Sequence, residues 1–192
     1  MDLILIRHGL PVRSDASADP PLSEIGHAQA RLVGALLGRE AVDAVCASTM
    51  RRAMQTAEPF AAAAALELAT HDGIREYDRE SGVYIPSEEL KREDYAAWRS
   101  VVERDMTEFR DEVVETLETI VRDNQGRRVA VFCHGGVINV WAAHVLKTPP
   151  RLFFNPTYCS VNRFSCARTG QRSVVSLGEA AHLKSLAVAL PG

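Results

Sequence analysis

Short apolar runs alternate along the chain with stretches of helical periodicity. Residues 3–6, 44–47 and 129–133 are continuous apolar runs, a pattern typical of short strands that are covered on both faces of a sheet. Two further strands are predicted near residues 161–164 and 174–177. Because strands alternate with helical segments, the pattern predicts an α/β fold with a largely parallel sheet.

Four helices are predicted between these runs. Ser23 is a suitable N-cap for a helix whose apolar residues fall on one face, and Gly38 is placed to end it. A second helix is predicted over about residues 49–65, which include an alanine-rich stretch. Apolar side chains recur at three- and four-residue intervals over residues 106–120, the clearest helical period in the chain. A fourth helix is predicted over about residues 135–146.

Residues 77–104 lack a clear period. They include Gly82, Pro86 and several charges, which indicates an insertion or lid. No internal repeat and no linker divides the rest of the chain. We therefore predict one domain over residues 1–192, a three-layer sandwich with a mostly parallel central sheet flanked by helices.

The net charge of the chain narrows the classes of ligand. The sequence holds 22 Lys and Arg against 25 Asp and Glu, a formal net charge of −3. Because this total does not attract polyanions, we expect neither a nucleic-acid binder nor a protein of anionic membrane surfaces. A site for an anionic ligand would have to be a local concentration of Arg and His.

The sequence gives no sign of export. No apolar run approaches the length of a membrane span, and the first residues show no basic segment followed by an apolar stretch and a cleavage site. The four cysteines show no Cys-x-x-Cys spacing, and Cys46 and Cys133 lie in apolar runs, where we expect them to be buried and reduced. These features predict a cytoplasmic protein.

Three polar segments follow predicted strands or open predicted helices. They are Arg7-His8-Gly9, residues 48–52 and His134-Gly135-Gly136. Ligands of open α/β sheets bind beyond the carboxyl ends of the strands, so these segments should gather at one edge. Each is a weak signal alone, since a lone His or Arg is more often structural than catalytic. Their joint placement favours a single anion-binding site.

The motifs that contain these segments resemble the histidine phosphatase superfamily, which includes cofactor-dependent phosphoglycerate mutase. They occur in the family's order. In this sequence they read Leu5-Ile6-Arg7-His8-Gly9, Pro21-Leu22-Ser23-x-x-Gly26-x-x-Gln29-Ala30, Ser48-x-x-x-Arg52-Ala53-x-Gln55-Thr56-Ala57, Ile74-Arg75-Glu76 and Val131-Phe132-Cys133-His134-Gly135-Gly136. Pro11 and Gly135 stand where the acid phosphatase and phytase branch has Arg and Asp, so the resemblance is to the other branch.

The resemblance implies a phosphoglycerate mutase-like fold and a phosphatase that hydrolyses a small-molecule phosphomonoester through a phosphohistidine intermediate on His8. It also implies that Arg7, Arg52 and His134 bind the phosphoryl group and take part in catalysis. Two guanidinium groups near His8 disfavour the imidazolium, which would keep the ring neutral and nucleophilic. No metal and no cofactor is expected, because the arginines can supply the positive charge that Mg²⁺ supplies in many other enzymes.

Glu76 is the candidate acid and base, by its position in the family-like segment, although other carboxylates lie nearby and most such groups are solvated. Gly135 at the start of a helix and the hydroxyl of Ser14 are further candidates for phosphate binding. The pattern departs from many family members after the first glycine, where Leu10, Pro11 and Ser14 stand. Pro11 has no backbone N–H to donate, so the rim of the phosphate site is expected to differ.

Two alternatives stay open at this point. A mutase would use the same His8 chemistry but return the phosphoryl group to the substrate, and a phospho-ligand-binding module would not react at all. The expected partner is a phosphorylated small molecule, with no nucleic acid and no membrane. The sequence does not name that molecule or the oligomeric state, and a homodimer is one option. Loops above the sheet edge usually form the rim of such a site, so selectivity is expected to come from residues 77–104.

Overall fold

The computed structural model describes residues 1–187 of the chain. In chain order its elements are β1 (Asp2–Arg7), α1 (Glu24–Leu37), β2 (Ala44–Ser48), α2 (Arg51–Ala64), β3 (Leu68–His71), α3 (Ser87–Glu93), α4 (Tyr95–Val102), α5 (Thr107–Asp123), β4 (Arg128–Cys133), α6 (Gly135–Leu146), β5 (Val161–Cys166), β6 (Arg172–Glu179) and α7 (Lys184–Ala187). Two 3-10 helices cover Asp72–Ile74 and Ala181–Leu183. No helix within residues 1–187 is both long enough and apolar enough to span a membrane.

The strands form one six-stranded sheet in the order β3-β2-β4-β1-β5-β6. The first four strands of this order are parallel, whereas β5 and β6 are antiparallel to their neighbours. Helices cover both faces, which confirms the predicted three-layer α/β fold with a mostly parallel sheet. In the register of the sheet Arg7 lies beside Cys133, and Ala47 lies beside Phe132. The residues that follow β1, β2 and β4 therefore meet at one edge.

The alternation of side chains along β1 divides the core into two layers. Leu3 and Leu5 face one layer, which includes Leu117 and Trp141. Ile4 and Ile6 face the other, which is built against α1 and α2. All the side chains of β1 from Leu3 to Ile6 are buried, as the continuous apolar run predicted. Each of the four cysteines, all within the described range, is buried and free.

Two parts of the fold were not predicted. Strand β3 is short and no residue in it is fully buried, so it shows no apolar run. Helices α3 and α4 lie inside the predicted insertion and also have no fully buried residue. An element that buries little has little hydrophobic period to read in its sequence.

Helix α1 is attached closely to the loop that follows β1. The hydroxyl of Ser23, the predicted N-cap, accepts from the N–H of Gly26 at 3.1 Å and donates to the carbonyl of Leu10 at 2.8 Å. A Cβ on Gly9 would lie 2.6 Å from the carbonyl oxygen of Gly26, and a Cβ on Gly26 would overlap the carbonyl oxygen of Leu10. The backbones at these two glycines approach too closely for any larger residue.

We expect Gly26→Ala to lower the free energy of unfolding by about 1–3 kcal/mol, since the new methyl group meets backbone that cannot yield. Gly34→Ala in the same helix is the matched control, because a Cβ there meets only Phe60 at an ordinary 3.6 Å. This control should raise the free energy of unfolding by roughly 0.5–1 kcal/mol through helix propensity. Urea titration of both variants measures the difference, and equal effects would contradict the close approach.

Candidate active site

Five of the predicted site residues converge at the carboxyl edge of the sheet. Arg7 ends β1 and His8 follows it, while His134 directly follows β4, the parallel neighbour of β1. Arg52 lies in the first turn of α2, and Glu76 follows the 3-10 helix after β3. All five side chains are buried. We call these five residues the cluster.

The ring of His8 is held in one tautomer. Its Nδ1 lies 2.8 Å from the carbonyl oxygen of Gly9. A carbonyl can only accept, so Nδ1 carries the proton and Nε2 keeps a free lone pair. The Nε–H of Arg52 donates to that Nε2 at 3.2 Å. The sequence predicted a neutral ring but could not name the carbonyl that fixes it.

Both histidines of the cluster are held neutral. Burial lowers the pKa of His8 well below its ordinary value, and the charges of Arg52 and Arg7 lower it further. Burial also lowers the pKa of His134, with Arg52 as the next cause. The two ring centroids are 5.1 Å apart. Burial is therefore the first cause of neutrality, ahead of the arginines that sequence reasoning invoked.

Arg52 is fully buried and surrounded by acceptors. Its Nη1 donates to the carbonyl of Ala18 at 2.8 Å and to Oδ1 of Asp19 at 3.3 Å, and its Nη2 lies 4.0 Å from Oδ1 of Asp78. The guanidinium carbon also lies 5.0 Å from the centre of the Tyr84 ring. These partners offset the cost of burying the charge and fix its position.

Arg7 is held by a segment near the C-terminal strands. Its Nη1 donates to the carbonyl of Pro156 at 2.6 Å and to Oδ1 of Asn155 at 3.3 Å. Its guanidinium carbon lies 3.8 Å from the centre of the Tyr158 ring, a cation–π contact. Its Nε is buried without a hydrogen-bond partner in the protein. That N–H is available to an anionic ligand.

His134 is oriented by β2. Its Nε2 lies 2.9 Å from the hydroxyl oxygen of Ser48, whereas its Nδ1 is buried without a partner. Gly135 opens α6 beside Arg7, with a Cβ position 3.7 Å from Nε of Arg7. The start of this helix therefore lies beside the guanidinium whose Nε–H has no partner, and exposed N–H groups at helix starts bind anions.

Glu76 is a buried carboxyl attached to the start of α6. Its two oxygens accept from the N–H of Tyr77 at 3.1 Å and from the N–H of Gly136 at 3.0 Å. Burial raises the pKa of Glu76 to about 7, and the nearby charge of Asp78 adds to the rise. The carboxyl can therefore give or take a proton near neutral pH.

The polar residues of the two helical motifs support the loop after His8. Thr56 accepts from the N–H of Gly9 at 3.0 Å and donates to the carbonyl of Arg52 at 2.7 Å. Gln29 accepts from the N–H of Leu10 at 2.8 Å. These contacts connect the segment around His8 to α1 and α2. Thr56 and Gln29, two motif residues to which the sequence assigned no role, are thus positioning residues.

Ser14 is not brought into the cluster. Its hydroxyl accepts from the N–H of Ala16 at 3.3 Å in its own loop. Its backbone pairs with Tyr84, with N–H to carbonyl distances of 3.0 and 2.7 Å. In this arrangement Ser14 connects the loop after β1 to the insertion. Its suggested contact with phosphate stays a prediction.

Sequence reasoning missed several supporting residues. Asp19 and Asp78 flank Arg52, and the hydroxyls of Tyr84 and Tyr158 lie 3.2 Å apart beside the two arginines. Asp78 carried a weak signal, since it stands two residues after Glu76. From the sequence, Tyr84 is only one of several insertion residues that could line the site, and nothing in the local pattern marks Tyr158.

Within residues 1–187, no group of three or more His, Cys, Asp or Glu side chains is arranged to hold a metal ion. A cavity of about 490 Å³ opens beside the cluster. Its walls include Arg7, Glu76 and three residues of α6, Gly135, Gly136 and Asn139. The remainder comes from the insertion and from residues 152–156. The cationic side chains in its walls are those of Arg7 and Lys91.

The chain is similar to several known proteins. A model of the histidine phosphatase superfamily (branch 1) matches residues 3–178. A probable phosphatase of Schizosaccharomyces pombe is 28% identical over 96% of this chain and 96% of its own. Phosphoserine phosphatase 1 of Hydrogenobacter thermophilus is 36% identical over 50% of this chain and 49% of its own. The solved structure of YhfR from Bacillus stearothermophilus superposes with a TM-score of 0.81 at 24% identity, covering 95% and 98% of the two chains.

Removing the hydroxyl of Thr56 tests how the cluster is supported. Thr56→Val keeps the shape of the side chain but leaves the buried N–H of Gly9 without its acceptor. We expect a loss of about 1–3 kcal/mol in the free energy of unfolding. Thr56→Ser, which keeps the hydroxyl, is the control and should lose less. Guanidinium chloride titration gives both values, and a larger loss in the Ser variant would refute this role.

Proposed function

The chain belongs to branch 1 of the histidine phosphatase superfamily, and we propose that it hydrolyses small-molecule phosphomonoesters through a phosphohistidine intermediate on His8. The observation that carries the proposal is the neutral ring of His8, whose unprotonated Nε2 is turned toward Arg52 in a buried site. An unprotonated ring nitrogen is the form that can attack phosphorus.

In the first step Nε2 of His8 attacks phosphorus and the ester P–O bond breaks. Arg7, Arg52 and the N–H groups at the start of α6 neutralise the charge on the three equatorial oxygens. His134 contributes a further hydrogen bond through the ring nitrogen that has no protein partner. Protonated Glu76 gives its proton to the departing alkoxide, so the alcohol leaves neutral.

In the second step a water molecule attacks the phosphohistidine. Glu76, now ionised, takes a proton from that water, the N–P bond breaks, and Nε2 of His8 regains its lone pair. Phosphate leaves and Glu76 is again protonated, so the cycle closes. A pKa of about 7 suits both halves of this exchange.

We propose that the reaction needs no metal ion. The positive charge that a divalent cation would bring to the phosphoryl oxygens is supplied by the guanidinium groups of Arg7 and Arg52. Each guanidinium is positioned by fixed protein acceptors.

We also propose that residues 1–192 act as one domain and that the segment 77–104 is a cover for the site. The side chain of Arg13 pairs with Glu93 at 2.8 Å, and the amide of Asn155 donates to Glu88 at 3.3 Å. Such exposed pairs hold a segment only weakly. The part of the cover that contains α3 can therefore open for substrate and product. Cytoplasmic location and homodimer formation stay predictions of the sequence.

Hydrolysis of p-nitrophenyl phosphate in the presence of EDTA tests the function directly. We expect turnover by the wild-type chain and loss of nearly all of it in His8→Ala, since the nucleophile is gone. An acid-labile phosphoryl label should appear on the wild-type chain and be absent from the variant. Equal turnover by the two proteins, or activity that appears only with added metal, would defeat the proposal.

The pH dependence tests the role of Glu76. Its protonated form is needed in the first step, so kcat/KM should fall as pH rises through about 7. Asp78→Asn removes the neighbouring negative charge that raises this pKa, which should move the falling limb to lower pH by about one unit.

Asp19→Asn is the matched control for this experiment. Asp19 also pairs with Arg52 but is not among the groups that shift the pKa of Glu76. This variant should change the level of activity and leave the limb in place. The same substrate is used for all three proteins, so the titration of the substrate contributes equally to each pH profile. A limb that stays fixed in Asp78→Asn would exclude the assignment.

A further inference from the structure

The cavity beside the cluster continues into a compartment with apolar walls. We call this compartment the chamber, and it is lined by Tyr77, Trp98, Val102, Leu152, Phe153 and Phe154. The walls of the same cavity also include Arg7, Glu76 and Gly136. A phosphoryl group bound at the cluster would direct its ester oxygen past Glu76, and the alcohol portion would extend into the chamber.

The aromatic wall of the chamber is fixed by a buried amide on α6. Asn139 accepts from the N–H of Phe153 at 2.9 Å and from the N–H of Phe154 at 3.1 Å. It donates to the carbonyl of Phe154 at 3.0 Å and to that of Gly135 at 2.8 Å. All the hydrogen-bonding capacity of this side chain is used. The wall is thus preformed and attached to the helix that begins at the cluster.

The facing wall comes from the insertion. Trp98 on α4 donates its indole N–H to the hydroxyl of Ser87 at 3.2 Å. The ammonium of Lys91 lies 4.8 Å from the centre of the Trp98 ring, so the cation is engaged with the indole. These two contacts orient the largest apolar side chain of the chamber.

Beyond the cluster, the charged side chains that line the cavity sum to zero. Among the described residues that line it they are Lys91 and Glu88, one of each sign and three positions apart on α3. The negative charge of Glu88 balances the positive charge of Lys91 in sum, so a substrate carboxylate gains no net attraction there. An apolar group gains instead from leaving water, roughly in proportion to the area that it buries.

We propose that the substrates of this enzyme are phosphomonoesters of bulky, uncharged, largely apolar alcohols, with an aromatic ring as the best fit to the chamber. This inference rests on the proposed phosphatase function and specifies its substrate class. It departs from the substrate in the name of the relative from Hydrogenobacter thermophilus, phosphoserine, whose alcohol portion is small and charged.

A series of unactivated primary alkyl phosphates tests the proposal, because their leaving groups are similar in intrinsic reactivity. The probes are phenylpropyl phosphate, ethyl phosphate, phosphoserine and 3-phosphoglycerate, and released phosphate is measured. For the wild-type chain kcat/KM should be at least roughly tenfold higher for phenylpropyl phosphate than for each of the other three. This comparison needs no variant. Equal or higher values for phosphoserine or 3-phosphoglycerate would overturn the inference.

Variants of α4 locate the effect. Trp98→Ala should lower kcat/KM for phenylpropyl phosphate by roughly tenfold, mainly through KM, and leave ethyl phosphate within about twofold. Arg99→Ala is the matched control, since Arg99 lies on the same helix, has a side chain that is 64% exposed and does not line the cavity. An equal loss on all four esters in Trp98→Ala would count against a leaving-group site.

The two proposals fail in different ways. If no ester, including p-nitrophenyl phosphate, is hydrolysed, the phosphatase function is wrong and the substrate class falls with it. If p-nitrophenyl phosphate is hydrolysed and 3-phosphoglycerate or phosphoserine is preferred among the alkyl esters, the phosphatase stands and the chamber does not select apolar alcohols.

Discussion

The site depends on two guanidinium groups buried near His8 at the edge of the sheet. A buried cation is costly unless acceptors surround it, and the fold supplies each arginine with its own set. Residues 155–158 hold Arg7 through a carbonyl, an amide and an aromatic face. Arg52 is held by residues 18–19 and faces Asp78. The loops above the sheet that contain residues 18–19, 78 and 155–158 thus contact these two charges.

The same burial prepares both titrating groups of the reaction. Removal from water disfavours any charge, so it makes the imidazole of His8 a stronger candidate nucleophile and makes Glu76 a carboxyl that is still protonated near neutral pH. Neighbouring charges add to these shifts, although the charge of Arg52 opposes the rise at Glu76. The arginines lower the pKa of His8, and Asp78 raises the pKa of Glu76. The same buried environment thus keeps His8 neutral as the nucleophile and Glu76 neutral as the acid. Opposite pKa shifts of this kind distinguish the roles of titratable groups in an active site.

The sequence predicted those parts of the molecule whose signal is local. The runs in β1, β2 and β4 are apolar because both faces of the sheet are covered, and the polar residues that follow them must then share an edge. The strand β3 and the helix α4 bury little, and no periodicity revealed them.

The supporting contacts of the site escaped prediction for a different reason. Tyr158 contacts Arg7, although about three quarters of the chain lies between them. Asn139 accepts a hydrogen bond from Phe153, which lies 14 residues further along the chain. Such contacts form only in the completed fold, and no local motif or periodicity in the sequence marks either residue. The same holds for the tautomer of His8, which a carbonyl of the following residue decides.

Helix α6 joins the reactive centre to the chamber. The N–H of Gly136 in its first turn holds the carboxyl of Glu76, and Asn139 one turn later holds the aromatic wall. A phosphoester bound at the cluster and in the chamber is fixed at both ends, with its bridging oxygen between them, where the acid lies. Positioning of this kind lowers the entropic part of a barrier without any new contact to phosphorus. A displacement of α6 would disturb proton transfer and leaving-group binding together, so the helix couples selectivity to chemistry.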